Sequence, residues 1–123
     1  MRLLLPRRSD SPIVQRASQR SYANYLRSGI RLFEWPGAMM HSKAAVVDGL
    51  WSTIGSYNID PLSLLINREL NLVLLGASTG RAFEEMFERD FARAAEIDVE
   101  AWKSRGLWRR MTENLCASFR ILL

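Results

Sequence analysis

An α/β fold, with a mixed β-sheet flanked by helices and a helical C-terminal tail, is what this sequence predicts. Three observations predict it. Short apolar runs of strand length, separated by turn residues, fill the chain as far as Leu75. An Asp48-Gly49 pair sits between two such runs, which is a strong hairpin signal. After Thr79 the period changes, and Phe83, Met86, Phe87, Phe91 and Ala94 follow a helical stripe.

Taken in order, Arg2 to Leu5 reads as a strand that stops at Pro6. Ser11-Pro12 reads as an N-cap with proline at the first helical position, and the helix continues through Val14, Ala17, Ser21 and Tyr25 until Gly29 ends it. Ile30 to Glu34 is a second strand, followed by a turn at Trp35-Pro36-Gly37. Met40 to Val47 and Trp51 to Gly55 are the two arms of the hairpin. Asp60-Pro61 opens a short turn or helix to Leu65. Arg68 to Leu75, apolar apart from Arg68, Glu69 and Asn71, fits a strand buried on both faces. Beyond the long helix, a break at Ile97-Asp98 leads to a shorter helix with Trp102, and Trp108, Met111, Leu115, Phe119 and Leu122 mark a last helical stripe. Residues 1–95 form the expected main domain and 96–123 the tail.

The chain has 123 residues, 48% hydrophobic and 24% charged, with a net charge of +4. That is one domain's worth of ordinary globular composition, not of disorder. Arginine supplies all but two of the 17 basic residues, a balance that favours anionic partners such as lipid or nucleic-acid phosphates without choosing between them. Cys116 is the one cysteine, so no internal disulfide forms and a reducing compartment is the default. In MRLLLPRR, Pro6 and two arginines interrupt the leucines well before a signal peptide's apolar region is complete. No apolar run approaches the ~18 residues of a membrane span, which leaves peripheral contact open.

The chemistry concentrates in MHSKAAVVDGLWSTIGSYN, residues 40–58. His41, the single histidine, stands two residues before Lys43, so on a strand the two point to one face. Imidazole attacks phosphorus when neutral or donates a proton when charged. A neighbouring ammonium neutralises the non-bridging oxygens as they gain charge. Ser56 and Asn58 follow the hairpin as neutral donors to the same oxygens. Glu69 is the lone acid of its apolar run, on one polar face with Asn67 and Asn71. A buried carboxylate needs a partner: the second nitrogen of His41, whose tautomer it would fix, or an arginine. Asp48 is accounted for by the Asp-Gly turn alone.

The joint pattern H-x-K-x4-D-x6-G-S-x-N, followed by N-x-E, resembles the signature of the phospholipase D superfamily. Seven fixed residue types at about one chance in twenty each make coincidence at a given start a matter of order 10⁻⁹. Here His41, Lys43, Asp48, Gly55, Ser56, Asn58 and Glu69 carry it. LLPRRSDSPIVQRASQRSYANYL, GIRLFEW and NIDPLSLLINRE extend the resemblance to the second half of bacterial cardiolipin synthases, and the Asn58 to Leu64 run most resembles the B-type subfamily.

The resemblance implies one incomplete phospholipase D-like half, with a phosphatidyl group passed between glycerolipids through a phosphohistidine, without metal or cofactor. It puts His41, Lys43, Asp48 and Glu69 in the catalytic motif. His41 takes the acid/base role more readily than the nucleophile's. Lys43, Ser56 and Asn58 hold the phosphate, and Glu69 orients His41. The expected partners are an anionic, phosphatidylglycerol-like lipid, the bacterial cytoplasmic membrane in peripheral contact, and a second half with its own motif, from a missing N-terminal region or another copy. Apolar residues Trp35, Met39 and Met40 lead into His41, and Arg105, Arg109 and Arg110 flank the tail stripe, which reads either as a membrane-surface helix or as packing. A homodimeric phosphodiesterase or nuclease and an inactive remnant are the competing readings. The scattered arginines form no track for a nucleic acid, which disfavours the nuclease.

Overall fold

The computed structural model describes residues 1–37, 40–58, 68–106 and 111–112. They divide into two compact units, one of Met1–Met40 with Arg93–Leu123 and one of His41–Ala92.

In the first unit, strand β1 (Arg2–Pro6) leads through helix α1 (Pro12–Arg27) to strand β2 (Arg31–Trp35). The strands pair in parallel, Leu3 opposite Leu32 and Leu5 opposite Glu34, as a strand-helix-strand crossover requires. Ser11 occupies the N-cap position in extended backbone, yet its side chain makes no capping bond; its carbonyl instead accepts from Gln15 N at 3.0 Å. At the other end Gly29 takes φ 76°, with Ile30 N on the Tyr25 carbonyl and Gly29 N on that of Leu26. This is the Schellman closure, and the left-handed residue it needs is the reason for glycine there.

Tyr22, Leu32 and Trp102 form the core, with Leu3, Leu5, Tyr25, Leu26, Ile30 and Ile97 packed around them. The Tyr22 and Trp102 rings lie 5.2 Å apart between centroids, and burial pushes the Tyr22 phenol above its usual range. Trp102 sits on a short helix, α3 (Val99–Lys103), whose N-cap Asp98 accepts from Ala101 N at 2.7 Å. A two-residue strand β6 (Ala95–Glu96), which the sequence pattern did not signal, pairs antiparallel with β2. Arg31 clamps it by a bidentate pair to Glu96, both contacts 2.7 Å.

The second unit contains an antiparallel sheet in the order β3 (Lys43–Val47), β4 (Trp51–Gly55), β5 (Asn71–Leu75). At the β3–β4 turn Asp48 and Gly49 have φ 53° and 60°, the left-handed pair that a type I′ turn demands. Helix α2 (Ala77–Arg93, its last residue in the first unit) meets that turn closely. A Cβ on Gly80 would collide with the Gly49 carbonyl, so only glycine lets the helix approach. Phe83, Met86, Phe87 and Phe91 are half-buried along α2, as the helical period predicts, and Phe87 stacks on Phe91.

Two expectations are corrected here. Strand β3 begins at Lys43 and not at Met40, so His41 precedes the strand and alternation along it does not apply. The 68–75 run yields a strand only from Asn71, and it is not buried on both faces: Leu72, Val73 and Leu75 are 57%, 50% and 76% exposed. Pairing with β4, its one strand partner among the described residues, satisfies the backbone, whereas burial of both faces needs a layer packed over each. Met39, the Asp60 to Leu65 segment, Asn67, Cys116 and the stripe residues Trp108, Leu115, Phe119 and Leu122, with Arg109 and Arg110, lie outside the described residues. Among the described residues no helix is long and apolar enough to cross a membrane.

Candidate active site

The strand register sets the site. Lys43 on β3 pairs with Gly55 on β4, and Gly55 pairs with Asn71 on β5. His41 lies two residues before this row, Ser56 one after it and Glu69 two before it. Residues separated by up to twenty-odd positions in the chain thereby share one end of one small sheet. Asp48 is at the opposite end of β3, about 17 Å from Lys43 at ~3.4 Å per residue. Its place in the structure is the turn, with φ 53°.

The Lys43 side chain folds back on its own neighbour. Its Nζ lies 3.0 Å from Nδ1 and 3.1 Å from Nε2 of the exposed His41 ring, and donates to the His41 carbonyl at 2.9 Å. The ammonium has three protons, so the carbonyl and ring leave capacity for an anion beside the imidazole. A phosphate entering there meets a fixed positive charge and a proton carrier together.

On the neighbouring strand ends, Ser56 and Glu69 are joined. Ser56 Oγ donates to Glu69 Oε2 at 2.5 Å, a short charge-assisted bond, and accepts from Leu70 N at 3.0 Å. Ser56 N also donates to the Leu70 carbonyl at 3.0 Å, extending the β4–β5 ladder by one step. The hydroxyl proton is thus directed at the carboxylate. In this arrangement Ser56 positions Glu69, and to serve a phosphate it has to turn. Asn58, exposed, follows on the segment leaving β4.

Gly55 explains itself by contact. A Cβ at that position would overlap Asn71 Oδ1 and the Leu70 carbonyl. The Asn71 amide therefore lies over the bare Gly55 backbone, where Oδ1 also accepts from Tyr57 N at 3.4 Å. Sequence reasoning placed Asn71 on the face of Glu69 but not in the site. The available signal was a polar residue in an apolar strand opposite a glycine.

A parallel pair joined by a helix, and a hairpin whose open end collects His41, Lys43, Ser56 and Glu69, define a phospholipase D-like α/β domain. The solved structures agree in fold: the chain superposes on a phospholipase D family member, Nuc from Salmonella typhimurium, with TM-score 0.63 over 78% of this chain and 62% of that one, at 21% identity. The family described as "Cardiolipin synthase, PLD-like domain" matches residues 1–91, and the chain belongs to that family. Among its relatives are the proteins named cardiolipin synthase A of Yersinia pseudotuberculosis and of Yersinia pestis, each 36% identical over 121 residues. The alignment takes in 98% of this chain and 25% of each relative, so the chain spans about a quarter of their length. These relatives carry the A designation, whereas the Asn58 to Leu64 run led to the B-type.

Proposed function

We propose that the chain supplies one half of the active site of a cardiolipin synthase-type phosphatidyltransferase. The observation that carries this reading is the Lys43 ammonium seated against both the ring and the carbonyl of His41, at the same end of the sheet as the Ser56–Glu69 pair. The 36% identity to proteins named cardiolipin synthase A supports a glycerophospholipid, phosphatidylglycerol-like, as the substrate.

In the reaction so read, a histidine of the second half attacks phosphorus and the bond to the glycerol oxygen breaks. His41, protonated, gives its proton to that leaving oxygen. The incoming lipid's hydroxyl then attacks the phosphohistidine, passes its proton to His41, and the phosphorus–nitrogen bond breaks. Every proton and electron pair is thereby returned. Lys43 balances charge on the non-bridging oxygens throughout, with the Asn58 amide as a second donor. Glu69, held by Ser56, orients His41. Asp48 serves by closing the hairpin that keeps Lys43 opposite Gly55. The second half comes from another polypeptide segment or another copy, and the reaction takes place at a bacterial membrane surface in peripheral contact.

The test is cardiolipin formation from phosphatidylglycerol by the chain combined with the remaining segment of a relative, read by mass spectrometry. His41→Ala is expected to lower turnover about 10²- to 10⁴-fold with the fold intact, as loss of an acid/base group does. Glu69→Gln should lower it by a smaller factor, through loss of orientation. Cleavage of DNA that disappears in His41→Ala, without lipid turnover, would establish the phosphodiesterase reading in its place.

A further inference from the structure

Helix α1 carries three arginines and not one acidic residue in its sixteen positions. The sequence reads these arginines as scattered, and the helix corrects that by bringing them onto one face. Ile13, Arg16, Arg20, Asn24 and Arg27 succeed one another at spacings of three and four, and all five are exposed. At about 100° and ~1.5 Å per residue, Arg16, Arg20 and Arg27 fall within ~40° of one another, along a stripe about 17 Å long. Tyr22, about 200° around the helix from Arg20, enters the core, so the stripe is the face turned from it. Helix α2 is the internal contrast. It has Arg81, Arg89 and Arg93, but sets Glu84, Glu85, Glu88 and Asp90 among them.

We propose that the α1 stripe is a contact surface for an anionic lipid bilayer. A single-sign helical face attracts a negatively charged surface, which gains roughly fivefold in binding for each basic residue brought close. Arginine stems lie along the interface while their guanidinium groups reach the phosphates. Part of the hydrogen-bonding capacity is used, by Arg27 on Asn24 one turn away and by Arg16 on Thr112 of the C-terminal segment, and both partners are neutral, so neither bond cancels the arginine's charge. The N-terminal end of the stripe adds what a lipid surface uses and a nucleic-acid backbone does not: Ile13, within about 20° of Arg20 around the helix, is 48% exposed. The choice of a bilayer rests also on the lipid-substrate reading above; the charge pattern stands without it.

The experiment is co-sedimentation with phosphatidylcholine vesicles, with and without phosphatidylglycerol, each variant first checked for native circular dichroism. Arg20→Gln combined with Arg27→Gln should weaken binding to the anionic vesicles roughly 25-fold, about fivefold per charge. Arg81→Gln combined with Arg89→Gln removes equal charge from α2 and should cost several times less. Arg20→Lys with Arg27→Lys should bind as the parent does, and Ile13→Ser should weaken vesicle binding without affecting binding to duplex DNA. Equal losses from the α1 and α2 pairs would reduce the effect to net charge and overturn the proposal. So would an α1 pair that loses DNA binding while keeping vesicle binding. Sedimentation reads no turnover, so absence of transferase activity leaves the result standing. Conversely, turnover of detergent-dispersed phosphatidylglycerol by the α1 variants combined with the remaining segment of a relative tests the catalytic reading by itself.

Discussion

In the first unit a fully buried side chain is Leu32, walled by Tyr22 and Trp102; in the second it is Ser52, on the middle strand of a sheet whose Leu72, Val73 and Leu75 stay exposed. The two regions are held by different means. Apolar burial around Leu32 stabilises the first, at roughly 25 cal/mol for each Å² withdrawn from water. The second depends on backbone: two antiparallel ladders, a left-handed turn at Asp48-Gly49, and glycines at 55 and 80 that permit approaches no side chain would. The difference teaches where the chemistry is placed. Lys43, Gly55, Ser56 and Glu69 take up the open end of the second sheet, and in the proposed reading positions given to a phosphate site are withheld from a core.

The comparison breaks most readily at Leu32. Leu32→Ala should destabilise the chain by about 2–5 kcal/mol, a transfer loss plus a cavity between two rings, measured by urea unfolding. Gly55→Ala should cost about 1–3 kcal/mol, as overpacking does, because the methyl meets Asn71 Oδ1 and the Leu70 carbonyl. Its signature is loss of β4–β5 amide protection from hydrogen exchange while amides around Leu32 are unaffected. If both regions lost protection together, the two units would be one cooperative system. Ser52→Ala has the opposite sign. Ser52 Oγ is buried and has no hydrogen-bond partner among the described residues, so its removal should be neutral or stabilising by up to about 1 kcal/mol.

The smallest effect sharpens the comparison at its edge. The Arg31 fork holds the Glu96 carboxyl below its usual range, mainly by hydrogen bonding. A depressed carboxylate contributes stability that is present above its unfolded pKa and is lost as pH falls through the lower folded value. Glu96→Gln should therefore lower the melting temperature slightly at neutral pH and leave it unchanged in acid well below pH ~4. Both residues are solvent-exposed, so the difference is small and falls with added salt.

Much of this was legible in residue types. Ser11-Pro12, Gly29, Asp48-Gly49 and Asp98 marked element ends because caps and turns are local: each depends on backbone angles within a few residues. The motif residues were legible for a similar reason, since imidazole and ammonium are scarce in this chain and were gathered by spacing with a carboxylate. The errors arose where neighbours decide. Alternation made His41 part of a strand, whereas the ladder with β4 starts at Lys43. A nearly apolar run made residues 68–75 a strand buried on both faces, whereas Leu72, Val73 and Leu75 are exposed and β4 is the one strand beside β5 among the described residues. Strand β6 is two residues long, too short for any period to register.

Taken by itself, the order of amino acids determined the α/β class, the places where helices and hairpin end, and the chemical groups available to a phosphate. Those follow from local backbone preference and from the identities of the side chains. Only the tertiary structure decided that Ser56 gives its proton to Glu69, that Asn71 lies over Gly55, and that the arginines of α1 face away from Tyr22 while β5 remains at an edge. Each of these depends on which strand lies beside which and on what is left uncovered, and such pairings are set by contacts between residues far apart in the chain.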